Sequence, residues 1–432
     1  MLSRPLTALL AACALVAVLA TTACGGSGGD RSLVHVPGDV ATITKAVDRV
    51  APGGTVLIAP GVYDEQVVVG KRDVTIRGED RDAVVVDGGG RRPYGVVATA
   101  DGVRIENLTV RRTTFYGVLV TGLHDENGPS AHDGQGYTHL DPDKFPPVQR
   151  FSIDHVTATD NGLYGIYAFD ANHGVIRDSY ASGSADSGFY VGQCRSCDIL
   201  VQGNVAERNA VGFENANASD SVVIVGNRFS GNRVGMTLIS NYQEAFTPQR
   251  ANTVVGNLVS DNQQADTPEQ ATGGWGIGLG ISGGQDNVLL RNRITGNVRA
   301  GVLLANTEDL AATGNTFTDD VLTGNGVAVA NVSAARAPAS GNCVTPAAAP
   351  TLPADLLADC HGTQPTGTLP AVDVPAGTSF LEVAAPPAQP SMPDPGERGP
   401  LPATVTMPDL DTIPVPAADL LADLAGTAQG SS

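Results

Sequence analysis

Short apolar runs that begin with glycine recur along this chain at a nearly constant interval. The glycines that open them are Gly95, Gly117, Gly165, Gly188, Gly212, Gly235, Gly276, Gly301 and Gly326. The successive spacings are 22, 48, 23, 24, 23, 41, 25 and 25 residues, so two intervals contain an insertion. A period in the low twenties, with short β-like runs and no helical spacing, is typical of stacked β-coils. A chain of 432 residues is an ordinary length for such a solenoid.

A second series of segments, led by Asn or Asp, runs out of phase with the glycine runs. These segments start at Asn107, Asp154, Asp178, Asn204, Asn227, Asn257, Asn292 and Asn315. Each coil of a solenoid must bend sharply, and Asn and Gly tolerate the left-handed backbone of such bends. We therefore expect the second series at the corners of successive coils.

The repeats and the opening segment ATITKAVDRVAPGGTVLIAPGVYDEQVVVGKRDVTIRGED resemble the right-handed parallel β-helix of pectin-lyase-like proteins, including the group named for the copper-enzyme maturation factor NosD. The resemblance covers residues 33–343 and implies an all-β solenoid with an N-terminal capping helix. Ile43, Ala46, Val47 and Val50 fall on one helical face, which suits that helix. This fold serves lyases, hydrolases, epimerases, binding proteins and adhesins, so it specifies architecture better than activity.

The N-terminal segment is predicted to direct export. Residues 1–23 contain Arg4, an apolar run over residues 5–20 and then small residues, as in a signal peptide. Cys24 and the GGSGGD that follows resemble a bacterial lipoprotein cleavage site, with residues 24–32 as a flexible linker. We expect a monomer held on the outer face of the cytoplasmic membrane by lipid on Cys24. Plain secretion is the alternative.

The C-terminal segment has a different composition. Residues 344–432 contain 16 of the 28 prolines, one arginine and no lysine, which is unsuited to central β-strands. We expect a mostly extended Pro/Ala-rich tail, in which ADLLADC and AADLLADLAG form short docking helices. The whole chain carries a formal charge of −19, which disfavours nucleic acid as a partner.

Four cysteines form two sequence-local pairs, Cys194/Cys197 and Cys343/Cys360. In an exported protein such an even count favours structural disulfides. A metal or redox site is the alternative for each pair.

Strand alternation divides each glycine-led run into an inward and an outward column. The inward column is Val96, Val118, Ile166, Phe189, Phe213, Met236, Ile277 and Val302. The outward column is Val97, Leu119, Tyr167, Tyr190, Glu214, Thr237, Gly278 and Leu303. Tyr167, Tyr190 and Glu214 are predicted to form an exposed ladder. Further along the same runs lies a polar column, Asp170, Gln193, Asn217 and Ser240.

Aromatic faces beside carboxylates and amides suit sugars, so a polysaccharide or cell-wall glycan is expected in a groove over residues 165–240. The predicted binding residues are Tyr167, Tyr190, Gln193, Asn217, Tyr242 and Trp275, of which Tyr242 and Trp275 lie on insertions. Stacked outward side chains also stabilise coils without any ligand, and that interpretation stays open.

The longest insertion begins after the run at Gly117 and is rich in His and acidic residues. Its candidate metal ligands are His124, Asp125, Glu126, His132 and Asp133. Imidazole with carboxylate suits a transition metal, and carboxylates with carbonyls suit Ca²⁺. A solvated acidic loop that shapes the edge of the groove is the third interpretation.

The candidate catalytic residues are Glu214, Asp170, Asp186, Tyr190 and His173. Glycoside hydrolysis needs two carboxyls, for which Glu214 pairs with Asp170 or Asp186. A lyase or epimerase needs a base such as Tyr190 or His173, with Ca²⁺ or another cation beside the substrate carboxylate. The competing hypotheses are a surface-anchored glycan-binding module without activity, and a NosD-like accessory protein whose Cys194, Cys197 and His-rich loop contact a metal.

Overall fold

The computed structural model describes residues 30–126, 128–129, 140–271, 273–396 and 398–426. The first strands are β1 Arg31–Val36, β2 Val50–Ile58, β3 Gly61–Tyr63, β4 Val67–Val69, β5 Thr75–Gly78, β6 Val84–Asp87, β7 Tyr94–Ala98, β8 Arg104–Arg111, β9 Tyr116–Thr121, β10 His124–Asp125, β11 Gly128–Pro129, β12 Val148–Thr159, β13 Ile166–Phe169, β14 Ala171–Arg177, β15 Tyr180–Ser182 and β16 Ser187–Arg195. The remaining strands are β17 Ile199–Gln202, β18 Val205–Ala206, β19 Val211–Ser219, β20 Val222–Val225, β21 Arg228–Phe229, β22 Val234–Ile239, β23 Thr253–Val255, β24 Leu258–Ser260, β25 Ile277–Ser282, β26 Val288–Leu290, β27 Arg293–Thr295, β28 Ala300–Ala305, β29 Thr316–Thr318, β30 Val329–Asn331, β31 Cys343–Thr345 and β32 Thr351–Leu352.

These strands form parallel coils that stack into two sheets, as the repeat predicts. The short sheet has 11 strands, β4, β7, β9, β13, β16, β19, β22, β25, β28, β30 and β32. The long sheet has 19 strands and contains all the others except β10 and β11, which form an antiparallel pair. Side chains that point inward from both sheets fill one continuous apolar core.

The inward column of the short sheet is confirmed as far as Met236. Ile166 pairs with Phe189, Phe189 with Phe213, and Phe213 with Met236, and these side chains are fully buried. The glycine before each core residue allows the coils to approach closely. At Gly212, for example, a Cβ atom would lie 2.5 Å from the carbonyl oxygen of Gly235 in the next coil.

In the next run, GIGLGI, the predicted register is wrong by two residues, whereas Val302 lies in the core column as predicted, because it pairs with Leu279. Met236 pairs with Leu279 rather than Ile277, and Thr237 pairs with Gly280 rather than Gly278. The sequence GIGLGI carries a glycine at every second position, so two registers satisfy the same alternation. The run at Gly326 is displaced in the same way, because Val302 pairs with Val329.

Asparagine ladders occupy the corners of the coils. The Asn204 side-chain amide donates to Asn227 at 2.9 Å, Asn227 donates to Asn257 at 2.9 Å, and Asn257 donates to Asn292 at 3.0 Å. Each buried amide is therefore satisfied by the coil above or below it. The ladder continues to Asp320 and not to the predicted Asn315, which belongs to a second ladder with Asn287 and Asn342.

The N-terminal end of the core is closed by helix α1, Ile43–Arg49, which begins at the N-cap Thr42. Its side chains Ile43, Ala46 and Val47 are buried in the core. At the other end the coils continue past residue 343 to β32, and the Gln364 side chain accepts a hydrogen bond from Asn342 at the end of its ladder. Within the residues described, we find no helix of the length and apolarity needed to cross a membrane.

The C-terminal tail runs back along the long sheet. ADLLADC and AADLLADLAG form turns instead of the predicted helices, and 3₁₀ turns occur at Phe380–Glu382 and Leu410–Thr412. Tail carbonyl oxygens accept hydrogen bonds from Arg81, Arg104, Arg150, Arg228, Arg233, Arg291 and Arg293. Tail side chains Val405, Met407, Leu410 and Ile413 pack on Leu200, Val223, Val225 and Val255. The tail therefore covers an apolar strip of the long sheet.

Candidate functional site

The outward column of the short sheet is stacked as predicted but is not exposed. Tyr167 pairs with Tyr190, and Tyr190 pairs with Glu214. The two tyrosines are each 1% exposed and Glu214 is 7% exposed, so the prediction of an exposed ladder is wrong. The physical reason is a cover, because Leu140, Phe145 and Ala245 pack on the tyrosines in one apolar cluster.

The covered tyrosines form a compact aromatic group. The ring of Tyr190 lies 4.7 Å from that of Tyr167 and 4.8 Å from that of Tyr164, between ring centroids. The ring of Tyr116 lies 4.8 Å from that of Tyr167. These tilted and edge-on contacts are the favourable arrangements for aromatic pairs, and they stabilise this face of the short sheet.

Three carboxyl groups meet at the edge of this aromatic group. We call Asp186, Glu214 and Glu244 the carboxyl cluster. The Ser187 hydroxyl lies 3.1 Å from Glu214 Oε2 and 3.3 Å from Asp186 Oδ1. The Tyr190 hydroxyl donates to Glu244 Oε1 at 3.0 Å. One serine therefore contacts two of the carboxyls, and one tyrosine holds the third.

Local structure explains how these groups meet. Asp186 directly precedes β16, and Glu214 lies on β19 in the next coil. Glu244 belongs to the 241–250 insertion, which leaves after β22. Gln270 belongs to the 263–275 insertion, which enters before β25, and it donates to Asp186 Oδ1 at 2.6 Å. Two insertions from opposite ends of the short-sheet strands thus reach the same cluster.

The three carboxyl groups of the cluster differ in pKa. Burial raises the pKa of Asp186 to about 6, and hydrogen bonds from Gln270 and Ser187 oppose that rise. Burial, reinforced by the neighbouring Asp186, raises the pKa of Glu214 well above its usual range. Burial raises the pKa of Glu244 to about 7 against the hydrogen bond from Tyr190. Asp186 therefore ionises before Glu214 as the pH rises.

The polar column is buried as well, so it does not line an open groove. Asp170, Gln193 and Asn217 are fully buried, with positive φ values of 59°, 55° and 45° that place them at a corner. Asn217 donates to the Asn241 carbonyl oxygen at 2.8 Å. Burial raises the pKa of Asp170 to about 8, and both of its carboxyl oxygens are buried without a hydrogen bond from a described residue.

Three further predicted residues lie away from the carboxyl cluster. His173 is on β14 of the long sheet, where its Nδ1 lies 2.8 Å from Asp198 Oδ2, so its predicted place in the groove is wrong. Tyr242 is 42% exposed and donates to Asp309 at 2.8 Å. Trp275 is 8% exposed, and the Arg233 guanidinium lies 4.8 Å from its ring centroid. Trp275 is thus covered by a protein cation and not open to a sugar.

Only some of the metal ligands predicted in the His-rich insertion lie among the described residues. His124, Asp125 and Glu126 are exposed, while His132, Asp133 and the predicted lipidation residue Cys24 lie outside the described residues. In the described part of the chain, two groups of three potential ligands come together, Asp154/His155/Asp178 and Cys343/Cys360/His361. Neither includes a residue of this insertion, so Ca²⁺ or a transition metal there stays a prediction.

Both of these ligand groups have structural partners already. Asp154 Oδ2 accepts from Arg177 Nη2 at 2.6 Å, and Asp154 Oδ1 lies 2.6 Å from His155 Nδ1. Cys343 is disulfide-bonded to Cys360, and Cys194 is disulfide-bonded to Cys197. The cysteine pairs are therefore in the bonded form and not free thiolates.

Two surface hollows lie elsewhere on the molecule. One, of about 240 Å³, is lined by Val62, Asp64, Asp87, Gly89, Arg91 and Arg112. The other, of about 290 Å³, is lined by Pro52, Gly53, Arg72, Asp73, Arg104, Arg398, Gly399 and Pro400. Neither hollow includes a member of the carboxyl cluster. We nevertheless regard the cluster as the candidate active site. Neighbouring carboxyls with strongly shifted pKa values are typical of catalytic sites, whereas a hollow alone is not.

Sequence reasoning missed Glu244 and Gln270. Both lie on insertions outside the repeat, so the alignment of inward and outward columns did not include them. The available signal was that Glu244 is the one acidic residue in NYQEAFTPQR, an insertion that leaves the coil beside the tyrosine column.

The chain belongs to the family described as the right handed beta helix region, which matches residues 70–259 and 245–349. The predicted right-handed parallel β-helix is thereby confirmed. No curated protein matches the chain significantly.

Solved structures share the fold at low sequence identity. The A-module of the Azotobacter vinelandii mannuronan C-5 epimerase AlgE6 is 17% identical with a TM-score of 0.48, over 78% of this chain and 94% of that one. The pectate lyase Pel9A is 17% identical with a TM-score of 0.39, over 84% and 90%. The DFA-IIIase from Arthrobacter chlorophenolicus A6 is 15% identical with a TM-score of 0.39, over 69% and 83%. These similarities concern the fold alone.

Proposed function

We propose that the protein binds a neutral polysaccharide and hydrolyses it at the carboxyl cluster. The observation that carries this proposal is the contact of one hydroxyl, that of Ser187, with both Asp186 and Glu214. Two carboxyls that share a hydroxyl lie close together. This favours the separation of about 5 Å found in retaining glycosidases over the wider spacing of inverting ones.

The proton affinities suggest the role of each residue. Glu214, whose pKa is raised well above its usual range by burial and by Asp186, acts as the general acid towards the glycosidic oxygen. Asp186, whose pKa is about 6, is ionised and acts as the nucleophile. Paired carboxyls whose environments push their pKa values apart divide the acid and base roles in this way. The hydrogen bond between Glu244 and Tyr190 holds the 241–250 insertion beside these two carboxyls.

The charge of the site favours a neutral substrate. No arginine or lysine is among the groups that shift the pKa values of Asp186, Glu214 and Glu244. A uronate carboxylate would meet three acidic groups without a neutralising cation, in a chain whose formal charge is −19. This arrangement disfavours a lyase or epimerase, because both need the substrate carboxylate neutralised.

Substrate access requires a movement of the cover. Asp186 is partly exposed while Glu214 is buried, so the opening lies on the Asp186 side, beneath Gln270. We infer that the 263–275 insertion acts as a lid that moves aside to admit a sugar. Closure of such a lid excludes water and completes the site.

The test is incubation with a panel of neutral and uronate polysaccharides, with and without EDTA, followed by reducing-end and 235 nm absorbance assays. We expect reducing ends from a neutral polymer, and loss of that activity in Glu214→Gln and Asp186→Asn. Asp320→Asn is the matched control, since it removes a buried carboxyl far along the solenoid. Unsaturated uronate products would contradict the hydrolase assignment.

A second candidate is a binding module without activity, which the burial of the proposed general acid Glu214 favours. It predicts co-sedimentation with a polysaccharide and no products in the same assay. Anchoring through lipid on Cys24 is a separate proposal. Metabolic labelling with a fatty acid tests it, because Cys24→Ser should abolish the label and release the protein from membranes.

A further inference from the structure

The hollow of about 290 Å³ lies among the first coils of the solenoid. Three arginines line it, Arg72, Arg104 and Arg398, and we call it the arginine hollow. We propose that it binds a phosphate-type oxyanion, supplied either as free phosphate or as the headgroup of an anionic lipid. The hollow shares no residue with the carboxyl cluster, so this proposal is independent of the proposed hydrolysis.

The first argument is a local excess of positive charge. Arg77 and Arg398 both pair with the single carboxylate of Glu106, and Arg150 pairs with Asp73 at 3.1 Å. Arg72 and Arg104 have no described carboxylate within ion-pair distance. The five guanidinium groups are therefore matched by two carboxylates at ion-pair distance, those of Glu106 and Asp73. This local excess occurs in a chain whose overall formal charge is −19. A positive excess of this kind calls for an external anion.

The second argument is the state of Arg104. The residue is 8% exposed. Its guanidinium group makes one hydrogen bond within the described residues, from Nη2 to the Gly399 carbonyl oxygen at 2.7 Å. A buried charge is costly unless it is paired, and a carbonyl oxygen does not neutralise it. Burial and the like charges of Arg398 and Arg77 lower the pKa of Arg104, and the carboxylates of Glu106 and Asp73 offset only part of this effect. An oxyanion in the hollow would remove both penalties.

The third argument is the match of ligand geometry to the donors. Planar guanidinium forks bind phosphate oxygens with paired, charge-assisted hydrogen bonds. The hollow is larger than one phosphate group, so it has room for the ester portion of a headgroup or a sugar phosphate. Asp73, the acidic group in the lining, is paired with Arg150 and therefore opposes an anion only weakly.

The position of the hollow suggests why a headgroup is one of the two sources. Asp30, the first described residue, lies 3.7 Å from the ammonium group of Lys71, the neighbour of Arg72 in the chain. The chain thus enters the solenoid beside the arginine hollow. If residues 1–29 attach the protein to a membrane, the hollow would lie near the attached end of the chain.

The experiment uses the full chain carrying Cys24→Ser, which removes the predicted lipid acceptor. One arm measures binding of inorganic phosphate by calorimetry and thermal shift against chloride of equal ionic strength. The other arm measures sedimentation with vesicles of phosphatidylglycerol and of phosphatidylcholine. Arg72→Gln and Arg104→Gln are the test variants. Arg336→Gln is the control, because Arg336 is exposed and donates to the Glu308 carbonyl oxygen near the last coils of the solenoid.

We expect saturable binding in at least one arm, weakened about tenfold or more by Arg72→Gln and Arg104→Gln and unchanged by Arg336→Gln. Arg72 is exposed, so its variant keeps the test valid if Arg104→Gln fails to fold. Binding in the phosphate arm identifies a free oxyanion as sufficient, and binding in the phosphatidylglycerol arm alone identifies a headgroup. Absence of binding in both arms, or an equal loss in all three variants, overturns the proposal.

Discussion

The Tyr190 hydroxyl donates a hydrogen bond to the Glu244 carboxylate at 3.0 Å, and this contact joins the short sheet to the 241–250 insertion. Tyr190 comes from the repeat and Glu244 from outside it. Because both groups are buried, the contact fixes the insertion over the aromatic group and places a third carboxyl beside Glu214.

Removing this hydroxyl should destabilise the protein and raise the pKa of Glu244. Tyr190→Phe removes one hydrogen bond from a buried carboxyl that also accepts one from Asn241, at an expected cost of about 1–3 kcal/mol in the free energy of unfolding. Urea denaturation measures the loss. Tyr242→Phe is the matched control, since it removes a hydroxyl from an exposed ring and should change the stability by less than about 0.5 kcal/mol. Equal effects of the two variants would show that the contact is not stabilising.

Close packing of the glycine column should make it intolerant of a methyl group. A Cβ at Gly212 would lie 2.5 Å from the Gly235 carbonyl oxygen and 2.8 Å from the Asn232 amide nitrogen, so Gly212→Ala must push two coils apart. We expect a loss of roughly 2 kcal/mol or more in thermal or urea unfolding. At Gly280 the nearest atom would be Thr237 Cγ2 at 3.7 Å, so Gly280→Ala should be tolerated. A tolerated Gly212→Ala would contradict the packing described.

Stability should fall as the pH rises from about 4 to about 7, in part through Asp320. Burial raises the pKa of this carboxyl to about 7, so the folded state holds a proton that the unfolded state releases near pH 4. Its favourable contribution is therefore complete at low pH and lost as the pH passes 7. Asp320→Asn keeps an acceptor for Asn292 and removes the titration.

The comparison of wild type with Asp320→Asn at two pH values measures this contribution. At pH 8 the variant should gain on the order of 2 kcal/mol relative to wild type, and at pH 4 the difference should nearly vanish. A difference that does not change with pH would mean that this carboxyl has the same proton affinity in the folded and unfolded states.

Truncation after Gly367 should expose the apolar strip that the tail covers. Each of Val405, Met407, Leu410 and Ile413 is partly buried on the long sheet. Their removal should cost about 1 kcal/mol per side chain and increase binding of a hydrophobic dye. Truncation after Gly426, which keeps the described tail contacts, is the control. An unchanged unfolding midpoint in the shorter protein would mean that the tail does not support the solenoid.

The repeat predicted the solenoid because glycine, core and corner positions recur with the period of one coil. The register of Ile166, Phe189 and Phe213 followed from that period, and it failed at GIGLGI, where alternation alone permits two alignments. Burial of Tyr167 and Tyr190 was not predictable, since it depends on how insertions fold back over the sheet. For the same reason Glu244 was missed, although Asp186 and Glu214 were both among the predicted catalytic residues.

The tail shows a second limit of sequence reasoning. Its proline content correctly indicated a segment without long helices or central strands. The composition gave no sign that arginines spaced along the long sheet would donate to its backbone carbonyl oxygens, because those carbonyls are present in every sequence. Helical spacing in ADLLADC was outweighed by the short length of the segment and the prolines around it.

The dependence of the hydrolysis rate on pH tests the central claim most directly. We would measure the release of reducing ends from the neutral polysaccharide that the panel identifies, between pH 4 and pH 10. The predicted profile is bell-shaped, with an acid limb near pH 6 for ionisation of Asp186 and an alkaline limb for deprotonation of Glu214. Glu214→Gln should abolish the rate across the range. A rate that is independent of pH, or one that survives Glu214→Gln, would contradict the assignment of this cluster as the active site.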